Sequence, residues 1–111
     1  MDSGLGYYAL DDDHRVIPAT LREWSALMDD HDARRVAKDV VMVGTQAVTV
    51  STVFLGIDHG WGKTPELFET MTFGGPYDHL LVARYPTWGA AERGHRVTVT
   101  RLSKGYRPDE G

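Results

Sequence analysis

The 111-residue chain contains no cysteine, which removes disulfides, thiolate nucleophiles and cysteine-ligated zinc or iron–sulfur centres. It has no apolar run approaching the ~20 residues needed to cross a bilayer, and its opening residues, MDSGLGYY, carry no signal-peptide pattern. A soluble, cytoplasmic protein is expected. Positive charge is in deficit: 12 Lys and Arg stand against 16 Asp and Glu, a formal net charge of −4. That balance argues against non-specific nucleic-acid binding, although a local arginine cluster can still contact an anion. No internal repeat or low-complexity stretch is visible. With 41% hydrophobic and 25% charged residues, the composition fits one soluble domain, here taken as residues 1–102 with a polar, flexible tail over 103–111.

The residues that are present divide into recognisable elements. Tyr7–Leu10 and Arg15–Pro18 flank the turn-forming run Asp11-Asp12-Asp13-His14 and predict a short hairpin. The three aspartates lack the spacing and terminal Glu of a calcium loop. Thr20-x-x-Glu23 is a capping box opening a helix whose apolar stripe is Leu21, Trp24, Leu27 and Met28. The helix ends at the acidic run Asp29-Asp30-His31-Asp32. Arg34 to Val43 reads as a strand, Gly44-Thr45 as its turn, and Ala47 onward as an antiparallel partner. Leu80–Tyr85 reads as the last sheet strand. Thr87 caps a second helix with a stripe of Trp88, Ala91, His95, Val99 and Leu102; it is assigned to about Trp88–Arg96, while Val97–Leu102 fits helix or strand. The order predicts an α+β fold, an antiparallel meander of about four to six strands with two helices packed on it.

The chain is organised around TVSTVFLGIDHGWGKTPELFETMTFGG, Thr49 to Gly75. Val48, Val50 and Phe54 share one face of a first strand, and the apolar character of both faces from Val53 to Ile57 marks it as central. In the second strand Leu67, Met71 and Phe73 lie on one side and Glu66, Phe68, Thr70 and Thr72 on the other. On this reading Glu69 falls with the apolar set and faces the interior, where a carboxylate must be paired, protonated or turned into a polar cavity; a β-bulge or one-residue change of register gives the opposite arrangement, with Phe68 inside and Glu69 in water. The connecting loop resembles a phosphate loop only superficially, because Ile57 occupies the position of its first glycine and Pro65 leads into a strand. Its glycines can still bring backbone amides and an indole close to a ligand. The candidate ligand-binding set is therefore Asp58, His59, Trp61, Lys63, Thr64 and Glu69.

Catalysis would use Glu69 as acid or base with Asp58, His59 and His95, but the chain has no serine elbow and no HExxH. Adjacent Asp-His pairs recur at Asp13-His14, Asp30-His31, Asp58-His59 and Asp78-His79 and could chelate zinc or manganese. All four fall at turns, where both residues are common, so no metal or cofactor is assigned. Two helices leave part of the sheet uncovered, which favours a homo-oligomer, with a dimer as the first choice.

At VSTVFLGIDH, LFETMTFGG and RYPTWGAAERGH, preceded by Thr20-Leu21-Arg22-Glu23-Trp24, the sequence resembles a family of small, mostly uncharacterised bacteriophage and prophage proteins. The resemblance covers about Thr20 to His95 and implies a phage-related setting rather than a mechanism. By analogy with small phage proteins that counter host defence, it favours binding over catalysis. The expected role is an oligomeric binding protein that sequesters a nucleotide-like signal: Trp61 stacks on a base, Lys63 and Thr64 meet phosphate, and Glu69 accepts from a sugar or base. The alternatives are an inhibitor of a host defence protein anchored by Trp61 and Tyr77, or a small hydrolase.

Overall fold

A computed structural model describes residues 6–58 and 64–110. The hairpin forms as expected from β1 (Tyr7–Leu10) and β2 (Val16–Ala19), antiparallel, with Tyr7 opposite Ala19. Asp11 closes its turn by accepting from the amides of Asp13 and Arg15, both at 2.9 Å. Helix α1 (Leu21–Asp29) has both bonds of its capping box, Glu23 N to Thr20 Oγ1 at 3.1 Å and Thr20 N to Glu23 Oε1 at 2.8 Å. It is followed by a single-turn helix α2 (His31–Arg34), which sequence periodicity is too short to reveal and which Asp30 caps through the Ala33 amide at 3.1 Å.

The main sheet is a four-stranded antiparallel meander, β3 (Arg35–Val43), β4 (Gln46–Phe54), β5 (Phe68–Phe73) and β6 (Leu80–Tyr85), in that spatial order. β4 is central. Beyond Phe54 it continues along the hairpin, where Tyr8 donates to Gly56 O at 2.9 Å and Tyr7 bridges to Ile57. This joins the small sheet to the large one. Gly56 is required at the junction: its φ is +72° and an added Cβ would stand 2.5 Å from Trp24 Cδ1. The Trp24 indole is fixed there by its own bond to Leu55 O at 2.9 Å.

Helix α3 (Trp88–Ser103) lies across one face of the sheet, capped by Thr87 accepting from the Ala90 amide at 3.1 Å. The helix runs through the stretch left open between helix and strand, because Ala91, His95, Thr98 and Leu102 continue its buried stripe at spacings of three and four. Thr98, rather than Val99, holds the buried position and returns its hydroxyl to Gly94 O at 2.9 Å. The covered face carries Val48, Val50, Thr52 and Phe54 of β4 with Phe68, Thr70 and Thr72 of β5, all fully buried. After Ser103 the chain turns back on the helix: Pro108 is buried and its carbonyl accepts from Arg101 Nη1 at 3.1 Å.

The alternation expected along β5 is present, but the inward face is the other one. Phe68, Thr70 and Thr72 point under α3, and Glu69 shares the uncovered face with Met71 and Phe73. The hydropathy pattern misleads here because two threonines are buried, and they tolerate burial only through hydrogen bonds that the tertiary structure supplies.

Candidate functional site

Thr72 donates its hydroxyl to Tyr77 O at 2.7 Å, while Thr70 belongs to a continuous chain of hydrogen bonds beneath α3. Tyr85 OH donates to Thr70 Oγ1 at 3.1 Å; Thr70 and Thr52 share a hydroxyl contact of 2.6 Å; Thr52 meets His95 Nδ1 at 2.7 Å; and His95 Nε2 meets Asp39 Oδ2 at 2.7 Å. Each hydroxyl and ring nitrogen in this run has a partner, from Tyr85 through Thr70, Thr52 and His95 to the Asp39 carboxylate. No buried side-chain nitrogen or oxygen among the described residues lacks a partner. The Asp39–His95–Thr52 geometry resembles that of a nucleophilic triad. Thr52 and Thr70 are, however, 0% exposed, so no substrate reaches the hydroxyl and the chain is a structural network. Gly94 makes room for it, since a side chain there would overlap the Tyr85 ring. His95, the catalytic alternative raised by sequence, is thus committed to the core.

The uncovered face of the sheet has different chemistry. A register shift between Arg35 and Ala37 takes Val36 out of alternation and into the core cluster around Phe54. As a result Arg35, opposite Val53, and Lys38, opposite Ser51, share one face although they are three positions apart in sequence. One row across the sheet reads Arg35, Val53, Glu69, Arg84. The next row on this face carries Lys38, Ser51 and Met71, three residues along β3 and two along β4 and β5, and the row after that Val40, Thr49 and Phe73. His31 and Arg34 of α2 stand beside the first row. Together His31, Arg34, Arg35, Lys38, Thr49, Ser51, Val53 and Phe73 line a pocket of about 360 Å³.

Glu69 sits at the edge of this pocket, 15% exposed at its side chain, with Arg84 Nε donating to its Oε1 at 3.3 Å. Arg34 donates through Nε to Phe54 O at 3.2 Å. Burial lowers its pKa from the ordinary guanidinium value, and the Glu69 charge acts in the opposite direction. Arg35 is engaged at 3.2 Å with Asp32, a carboxylate that is almost wholly solvated. Such a pair holds its cation loosely. Lys38 and His31 have no ion-pair partner among the described residues. The pocket is therefore cationic on a chain that is acidic as a whole.

Of the sequence-derived set, Glu69 pairs across the sheet with Val53, which lines the pocket. Asp58 is exposed and accepts from the Glu66 amide at 3.0 Å, and Thr64 is exposed. His59, Trp61 and Lys63 lie outside the described residues. Of the Asp-His pairs, His14 stacks on Trp88 with ring centroids 3.8 Å apart, Asp30 caps α2, and Asp78 accepts from Gly74 N at 2.8 Å while pairing with His79 at 3.1 Å. Among the described residues no three His, Asp or Glu side chains are grouped to hold a metal, and no helix is long and apolar enough to cross a membrane. Sequence reasoning missed the Arg34, Arg35 and Lys38 cluster. Its signal was three cations within five residues, but unbroken alternation puts Arg35 and Lys38 on opposite faces.

The fold and pocket together define an α+β protein with one sheet face sealed by a helix and the other open and locally basic. Comparison with family models, with curated proteins and with solved structures returned no match.

Proposed function

We propose that the protein is a small binding protein that takes an anionic, nucleotide-like ligand on the open face of its sheet. It acts by sequestering that ligand, in the phage-related, counter-defence setting that its sequence resemblance implies. The observation that carries this reading is the pocket of about 360 Å³ in which Arg34, Arg35, Lys38 and His31 converge on a chain of net charge −4. Arg35 and Lys38 meet phosphate, the hydroxyls of Thr49 and Ser51 donate or accept beside it, and the Phe73 ring offers a stacking surface. Val53 to Thr49 spans about 13 Å of strand, room for a phosphate at one end and a base at the other. Glu69, oriented by Arg84, accepts from a sugar hydroxyl or a base N–H. Thermal-shift screening with cyclic nucleotides and ADP-ribose derivatives tests it. A ligand at a hundred times its Kd stabilises by about 2.7 kcal/mol, and Arg35→Ala with Lys38→Ala removes the shift. No shift for any of these compounds, with the protein folded, overturns it.

A second reading is favoured by a separate observation: Val40 and Met42 on the same open face are 62% and 59% exposed. An apolar strip of this kind suits a second copy of the chain or a host defence protein. Light scattering at increasing concentration tests the homodimer, which Val40→Lys disrupts. A wild-type mass that stays monomeric at every concentration removes it.

A further inference from the structure

The outward face of α3 lies on the opposite side of the sheet from that pocket and has a charge pattern of its own. Residues 93–108 hold five of the chain's 12 Lys and Arg, namely Arg93, Arg96, Arg101, Lys104 and Arg107, and no Asp or Glu. Seven acidic residues, Asp11, Asp12, Asp13, Glu23, Asp29, Asp30 and Asp32, collect within residues 11–32, while Glu92, Asp109 and Glu110 flank the segment and leave it with a net positive charge. The chain average thus conceals a cationic surface, and charges beyond a Debye length of about 8–10 Å contribute little to the field there.

Two of the five cations are used internally, Arg101 on Pro108 O at 3.1 Å and Arg107 on Asp109 at 3.1 Å. Arg93, Arg96 and Lys104 have no carboxylate partner among the described residues. They fall on one line of the helix, opposite the buried stripe of Ala91, His95, Thr98 and Leu102, and extend over about 16 Å at 1.5 Å per residue. Between and beyond them, Val97 is 45% exposed and Tyr106 is 58% exposed. These side chains line a groove of about 490 Å³. A favourable interaction with the helix dipole accounts for a cation in the last turn, such as Arg101 or Lys104, but not for Arg93 and Arg96, which stand more than a turn earlier.

We infer that this face binds single-stranded nucleic acid, with Arg93, Arg96 and Lys104 tracking the phosphates and the Tyr106 ring stacking on a base. A linear cationic track with an exposed aromatic is the pattern that holds single strands without sequence preference. An acidic polypeptide is less well served, because exposed ion pairs contribute little individually and only Val97 and Tyr106 offer apolar anchorage. A polyanion gains instead from counterion release, which needs no apolar burial.

Fluorescence anisotropy of a labelled oligodeoxythymidylate of roughly 20 nucleotides tests the inference. Three phosphate contacts predict that affinity falls about 18-fold between 50 and 200 mM salt. Arg93→Gln with Arg96→Gln and Lys104→Gln abolishes most of that dependence while leaving the melting temperature unchanged, and Tyr106→Ala weakens binding about tenfold. No anisotropy change at 50 mM salt overturns the inference, as does a triple variant that binds like wild type. Competition by polyglutamate as strong as by unlabelled oligonucleotide assigns the face to acidic polypeptides and overturns it equally.

Discussion

Replacing Thr52 by valine tests whether the buried polar chain is a connected network. The substitution nearly conserves volume and removes only the hydroxyl, which sits 2.6 Å from Thr70 Oγ1 and 2.7 Å from His95 Nδ1. Both partners are buried, so Thr70 Oγ1 and His95 Nδ1 each lose a partner with no water to replace it. A buried group left unsatisfied costs about 1–3 kcal/mol, giving about 2–6 kcal/mol for the two. That is a large part of the ~5–15 kcal/mol available to a domain of this size. With an unfolding entropy of about 2.1 cal/mol/K per residue, each kcal/mol lowers the melting temperature by about 4 °C, so the variant melts about 8–24 °C below wild type. Tyr85→Phe removes only the donor at the end of the chain and costs about 0.5–1.5 kcal/mol. The double variant Thr52→Val with Thr70→Val costs less than the sum of the singles, because the two hydroxyls are each other's partners. Urea unfolding followed by circular dichroism and fluorescence measures wild type, Tyr85→Phe, the two single threonine variants Thr52→Val and Thr70→Val, and the double variant. A Thr52→Val cost no greater than that of Tyr85→Phe, or strict additivity in the double variant, refutes the connected chain.

Gly94→Ala should destabilise by about 1–3 kcal/mol despite alanine's better helix propensity, because the new methyl overlaps the Tyr85 ring; in a Tyr85→Ala background the same change becomes neutral or stabilising, as chemical denaturation will report. Trp24→Phe removes the indole bond to Leu55 O and costs about 1–2 kcal/mol in the same assay; a smaller loss than Tyr85→Phe contradicts its role in fastening α1 to β4. Acid sensitivity has an assignable part: the Thr20 amide holds the Glu23 carboxyl below its usual range, and the Gly74 amide does the same for Asp78. A folded-state pKa below the unfolded one contributes stability that is fully present above the unfolded value and lost as pH falls through the folded value. Glu23→Gln should therefore flatten the acid limb of a stability–pH profile, and an unchanged limb argues against the capping box as a source of acid sensitivity.

Much of the fold is legible in residue order. The capping box at Thr20 and Glu23, the Gly44-Thr45 turn and the alternation from Val48 to Phe54 are local signals that need no partner to be read. The motif residues also have structural roles. Thr52, Phe54 and Gly56 seal β4 and its exit, Phe68 and Thr70 face α3, and Tyr85, Thr87, Trp88, Gly94 and His95 cap, pack or hydrogen-bond the helix. The candidate site is far less legible. Glu69 was assigned inward because hydropathy ranks Met71 and Phe73 above Thr70 and Thr72, and that ranking assumes buried hydroxyls have no partners.

What the sequence by itself determined is the set of elements and their antiparallel order, since caps, turns and alternation act between residues close in the chain. Which face of the sheet is sealed was decided only in three dimensions, where His95 on α3 and Asp39 on β3 arrive to satisfy threonines distant in sequence. The basic pocket has the same origin: one bulged residue in β3 turns Arg35 onto the side of Lys38, and strand periodicity cannot register a shift of a single residue.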